Sequence, residues 1–148
     1  MKKIFRSGQA SFTDLQSPAG YVFGALVFNY DGRVFGSDEA RMLWESTKSN
    51  ELVLGKVEDS AKHVMNNKHA VSLLSDTFLS TMPGCEECAY QPYCGADPFH
   101  HLATQGDHIG DKSKSFFCDV ETGIFDHLFE LYETNSEAKG IFKKWLSL

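Results

Sequence analysis

"YVFGALVFNYDGRVFG", residues 21–36, places aromatic and β-branched residues on both sides of Asn29-Tyr30-Asp31-Gly32. The Asp-Gly pair suits a turn that needs positive φ, and Val34 and Phe35 begin a return strand, so the segment predicts a β-hairpin. Ser17-Pro18-Ala19-Gly20 punctuates the chain before it, and residues 1–16 carry little periodicity and read as an amino-terminal extension to a domain over 17–148. Directly after the hairpin, Ser37-Asp38-Glu39-Ala40 starts a helix. Ser37 is a suitable N-cap, two acids occupy the first turn, and Met42, Leu43 and Trp44 supply an apolar face.

A hairpin followed by helices, with no alternation of strand and helix, gives a small α+β domain. The spacing predicts a short strand from Leu52 to Val57, then a helical region capped by Asp59 and running to Phe78, broken near Asn66-Asn67. Pro83-Gly84 ends it. A short helix is expected from Pro98 to Thr104, a Gly-rich polar stretch from Gln105 to Ser115, and two final helices over 119–133 and 136–147. The first of these carries Ile124, Phe125, Leu128, Phe129 and Tyr132 on one face; the second carries Ile141, Phe142 and Trp145.

Between Gly84 and Pro98 lies "CEECAYQPYCGADP", residues 85–98, which holds Cys85, Cys88 and Cys94; Cys118 follows after twenty-three intervening residues, and these are the only four cysteines of the chain. A C-x2-C turn lets two sulfurs face one point, and two further thiolates complete a tetrahedral shell for a metal ion or an iron-sulfur cluster. Pro92, Gly95 and Pro98 argue for an irregular loop, and Cys118 is expected just before a helix N-terminus, where the macrodipole favours a thiolate. Simple burial of four small residues does not account for three of them falling within ten positions. Structural zinc sites usually combine two C-x2-4-C knuckles. Here Cys94 and Cys118 arrive singly, which tilts the pattern toward a [4Fe-4S] cluster, with Zn2+ as the alternative. Glu86 and Glu87 should face solvent, since a four-thiolate site is already negative.

The 148 residues carry a net charge of -6 and no basic run longer than Lys2-Lys3, which gives phosphate neutralisation little to draw on; no nucleic-acid partner is expected. The longest apolar run, Tyr21–Phe28, is eight residues, against the ~20 a spanning helix needs. "MKKIFRSGQASF" is not a secretory signal. No membrane association is expected, and a cytoplasmic location would keep the thiols reduced rather than paired as disulfides.

The segment "CEECAYQPYCGADP" with its late cysteine resembles the end of the SPASM domain, the carboxy-terminal module of radical SAM enzymes that modify ribosomally made peptides. That family's pattern is C-x9-15-G-x4-C, a gap, C-x2-C-x5-C-x3-C, a gap, and C, and its seven cysteines serve two auxiliary [4Fe-4S] clusters. Laid on this chain, C-x2-C-x5-C falls on Cys85, Cys88 and Cys94 and the final cysteine on Cys118, the second-cluster ligands. The G-x4-C element becomes Gly32 followed by Ser37, the cysteine four residues after Cys94 becomes Pro98, and the earliest falls near Ser17. All three lost positions ligate the first cluster, so the resemblance implies one site dropped and one kept whole. Ser37 as N-cap and Pro98 as a first helical residue also have ordinary structural readings.

Within that family, "SPAGYVFGALVFNYDGRVFGSDEARML", "YQPYCGADP" and "FFCDVETGIFDHLFEL" are most similar to the maturases of the His-Xaa-Ser peptide system. The resemblance implies an auxiliary cluster module that relays an electron or positions a substrate peptide beside a radical SAM catalytic domain. The C-x3-C-x2-C loop that such a catalytic domain needs is missing from these 148 residues. The chain is therefore not expected to be an enzyme alone. The alternative function is a zinc-stabilised module that binds a peptide or protein without redox activity.

His100 and His101 follow the cysteine loop and read as surface or helix-packing residues. His63, His69, His108 and His127 lack partner spacing and are assigned no role. Asp97 reads as the cap of the helix at Pro98, and Tyr90 and Tyr93 as shields of the metal site.

Overall fold

In a computed structural model the protein is described over residues 19–22 and 24–147. The expected amino-terminal extension 1–16, and Ser17, lie outside the described residues.

The hairpin forms as β1 (Val27–Phe28) and β2 (Arg33–Phe35), antiparallel, with Val27 opposite Phe35 and Phe28 opposite Val34. Gly32 N–H donates to the Asn29 carbonyl at 3.0 Å. Of the turn residues only Gly32 takes positive φ, +83°, so a single glycine at the left-handed end closes the turn. β3 (Gly55–Lys56) adds to the other side of β2, giving the order β1-β2-β3. Strand alternation points Val34 and Phe35 to opposite sides. Both are buried, so both faces of the central strand are covered. Full burial of a side chain such as Phe35 contributes about 1.5–3 kcal/mol.

Helix α1 (Asp38–Thr47) begins at Ser37, whose hydroxyl accepts from Ala40 N–H at 3.1 Å. Its Trp44 packs on Phe35, ring centroids 5.7 Å apart, and carries Arg33 and Lys48 against its ring at 4.3 and 4.0 Å. Gly36 keeps the adjoining backbone close: a Cβ there would stand 2.8 Å from Val22 Cγ2.

The expected strand Leu52–Val57 is shorter. Asn50–Leu52 is a 3-10 turn, because the Asn50 carbonyl takes the Val53 N–H at 3.2 Å, and sheet bonding starts only at Leu54, whose N–H donates to Val34. The helical region divides where expected, into α2 (Ala61–Met65) and α3 (Lys68–Ser75). Its cap is Ser60, not Asp59, since Asp59 Oδ2 is taken by the Lys56 N–H at 2.7 Å. It ends short of Phe78 because Thr77 Oγ1 donates to the Leu74 carbonyl at 2.7 Å and Thr77 and Phe78 close the last turn with i→i+3 bonds.

Helix α4 (Pro98–Gln105) has Pro98 in its first turn and Asp97 as N-cap, as expected. Two helices complete the chain, α5 (Phe116–Thr134) and α6 (Ser136–Ser147), packed on one another. Among the described residues the result is a three-stranded antiparallel sheet with six helices, an α+β architecture. No helix among them is long and apolar enough to cross a membrane.

The larger core joins the sheet to α1, α3 and α4 through Phe35, Trp44, Leu52, Leu54, Leu73 and Phe99. A second, smaller core holds Leu79, Met82 and Ala96, with Cys85, Cys94 and Phe117 against it. Cys85 and Cys94 thus pack on this second core.

Candidate metal centre

The cysteine loop is a chain of tight turns rather than an irregular coil. Cys85 N–H donates to Met82 (3.0 Å), Cys88 N–H to Cys85 (3.1 Å), Gln91 N–H to Cys88 (3.1 Å) and Cys94 N–H to Tyr90 (3.1 Å). Cys85 and Cys88 thus flank one hydrogen-bonded turn, the knuckle that C-x2-C predicts. Cys94 closes the 3-10 turn Gln91–Tyr93. Gly84, at φ +78°, lets the loop pass Ser113, whose Cβ would lie 3.0 Å from an added Cβ.

Cys118 does not precede its helix. It sits in the first turn of α5, because Ser115, buried at 4 % exposure, takes the capping role and accepts the Cys118 N–H at 3.2 Å. The helix N-terminal environment expected for this thiol is kept. Cys118, Glu121, Thr122 and Phe125 follow i, i+3, i+4, i+7 spacing and line a single cavity together with Cys85, Cys88 and Cys94.

Aromatic side chains fasten the loop to α5. Tyr90 stacks on Phe125 and Phe129, centroids 5.1 and 6.0 Å away, and its hydroxyl donates to Asp126. Tyr93 meets Phe125 at 6.4 Å. Tyr90 lines the cavity; Tyr93 braces it from outside. Leu79, Ala96, Phe117 and Phe125 make the remaining wall largely apolar.

All four cysteines are free thiols of intermediate burial. Burial is the main reason that the Cys85, Cys94 and Cys118 thiols are pushed up from their ordinary value. Cys94 reaches about 12, with the Glu121 carboxylate adding to burial and the Ala96 N–H opposing it. Without a metal these groups therefore stay protonated at neutral pH, and a bound metal reverses that preference. Among the described residues no three His, Cys, Asp or Glu side chains are gathered into a metal-holding group. The thiols line a common cavity without closing on one point.

The donor set fits a soft metal or a cluster: four sulfurs and a mostly apolar wall. As the side chains stand, a single ion requires the thiols to close in on it and a cubane requires them to turn outward.

Glu86 and Glu87 are exposed, as expected for bystanders. His101 is fully buried in helix packing, and His100 lies against Phe117 at 5.9 Å; neither lines the cysteine cavity. The one cation that does is Lys112, 2 % exposed. Nothing in its sequence surroundings marks it, since Lys114 two positions on is 82 % exposed at its side chain. Glu121 and Thr122, which the sequence reading passes over, stand one helical turn beyond Cys118, a spacing that exists only because α5 starts ahead of the cysteine.

Comparison with known proteins finds no matching family model, no similar curated protein and no similar solved structure.

Proposed function

We propose that the chain is a four-thiolate metal-binding module in which Cys85, Cys88, Cys94 and Cys118 hold one metal centre. The observation that carries this reading is that the chain's four cysteines, one of them separated from the rest by twenty-three intervening residues, all line one cavity. The sequence resemblance makes that centre an auxiliary [4Fe-4S] cluster. A cluster held there would take up and pass on one electron at a time. The module then serves a radical SAM peptide maturase in the cytoplasm, relaying electrons or positioning the substrate peptide for a separate catalytic domain.

A single Zn2+, which the same four sulfurs suit, is the second reading. In that case the module recognises a peptide or protein without redox activity.

Reconstitution without oxygen, with iron and sulfide or with zinc, tests both. Bound iron and sulfide with sulfur-to-iron charge-transfer absorption support the cluster. Zinc uptake with no iron or sulfide retained rejects it and leaves the zinc module. Cys94→Ala should drop metal content to background and lower the thermal midpoint of the loaded protein to that of the metal-free chain, because binding and folding are linked. An unchanged midpoint together with full metal content in Cys94→Ala overturns both readings.

A further inference from the structure

Lysine carries a compact, strongly hydrated ammonium and is almost never fully buried without a partner. Lys112 is buried. Its Nζ donates to the carbonyls of His108 (2.8 Å) and Ile109 (3.0 Å), which leaves one N–H over. Among the described residues it forms no ion pair; Asp76, Asp97 and Asp107 act on it only at longer range. Two neutral carbonyls do not offset the loss of hydration of a whole charge. Burial accordingly holds its pKa below the ordinary lysine value, and the strongest opposing influence is Cys85.

What this cation adjoins is the cysteine cavity. Lys112 is the only cationic side chain among those lining it, and the carboxylate of Glu121 stands in the same wall. Four thiolates around a divalent ion, or around a cubane core of charge 2+, make a doubly negative group. Confining that group in a largely apolar cavity is costly unless a positive charge is confined with it.

We infer that Lys112 is the built-in counter-charge of the four-thiolate centre, anchored by the 108–109 carbonyls so that its remaining N–H is available to a thiolate or sulfide acceptor. The inference rests on the thiolate reading above and holds for either centre. In the metal-free chain the carboxylates that act on Lys112 stay beyond ion-pair distance, and four thiolates gathered on a metal would bring a larger negative charge into the cavity that it lines. The thiolates and the ammonium are then complementary halves of one site. A charge-assisted hydrogen bond of this kind is about twice as strong as a neutral one.

Lys112→Gln separates charge from anchoring, because its amide N–H groups remain available to the two carbonyls while the charge is gone. Lys112→Met removes both. Co2+ titration of the reduced, metal-free chain, followed through thiolate-to-cobalt charge-transfer absorption, reads the site without any catalytic partner. Both variants are expected to raise the Kd for Co2+ by about 10- to 100-fold, while Lys112→Gln leaves the thermal midpoint of the metal-free chain near the wild-type value. Wild-type Co2+ affinity in Lys112→Gln overturns the inference and leaves the thiolate reading standing. So does a loss of affinity matched by an equal loss of metal-free stability, which makes Lys112 only a strap for the 108–109 turn. If the wild-type chain binds neither cobalt, zinc nor iron, the thiolate reading falls and the inference with it.

Discussion

His101 shows how a single buried group can govern the acid limb of stability. Its Nδ1 donates to the Asp97 carbonyl at 2.7 Å, an assignment that follows because a carbonyl only accepts, and its Nε2 is buried without a partner. Charging the ring would place a second proton where no acceptor waits. Burial holds its pKa below 6.5, the charges of Lys112 and His100 act in the same direction, and the Asp97 carbonyl opposes them. The folded pKa lies below the unfolded one, so on acidification the unfolded chain takes up the proton first. The stabilisation is complete above about pH 6.5 and is lost as pH falls through the folded pKa. Thermal melts between about pH 5 and 7 should show the wild-type midpoint falling faster than that of His101→Gln. Parallel curves would show that His101 stays uncharged in both states or charges without cost. Reading the sequence leaves His101 as a surface or helix-packing residue; its complete burial is a consequence of α4 meeting the sheet core, and periodicity over so short a helix does not reveal it.

Helices were legible where one capping residue stands without a competing neighbour. Ser37 and Asp97 stand at the predicted starts of α1 and α4, and the break at Asn66-Asn67 falls between α2 and α3. Where two candidate caps compete, the sequence misleads: Asp59 is diverted to the turn after β3, and Ser115 displaces the start of α5 ahead of Cys118. Local hydrogen bonds between residues three apart decide both cases, and propensity does not say which neighbouring oxygen makes them; bonds to a distant element are a second kind. Asn67 has both kinds. Its Oδ1 accepts from His69 N–H at 2.8 Å to cap α3, and its Nδ2 donates to the Leu54 carbonyl at 2.9 Å, thirteen residues back. Asn67→Ala loses a cap, about 1 kcal/mol, and a tertiary hydrogen bond, also about 1 kcal/mol. The sum of about 2 kcal/mol should appear in urea unfolding at unchanged m-value. Asn67→Ser keeps a capping oxygen without a donor that reaches Leu54 and should lose about half as much; an equal loss in both variants would assign the whole effect to the bond with Leu54.

The division into two cores governs how the whole chain should respond to a metal. The larger core is built of Phe35, Leu52, Leu54, Leu73 and their neighbours and contains no cysteine, so its burial is complete without a ligand. The smaller core has only Leu79, Met82 and Ala96 fully enclosed, and its remaining members Cys85, Cys94 and Phe117 are partly buried around the cavity. Three enclosed apolar side chains contribute little against the ordering entropy of the segments they join. The cysteine loop, the 3-10 turn Lys112–Lys114 and the start of α5 thus form the weakly held part of the molecule, with Tyr90 on Phe125 as its main clasp. The spacing of the cysteines was legible in the sequence, but their attachment to a separate minor core was not, because that depends on which apolar residues the sheet leaves unused. Metal binding should accordingly act on one region and not the other. With Zn2+ at about 100 times its Kd, amide hydrogen exchange that requires release of the metal should slow by about 100-fold, equivalent to ~2.7 kcal/mol. That slowing is expected across residues 82–97 and 115–125, with residues 33–35, 52–54 and 70–73 unchanged below the limit of global unfolding. Uniform protection across both regions would show instead that the two cores open as one cooperative unit, so that the metal stabilises the domain as a whole.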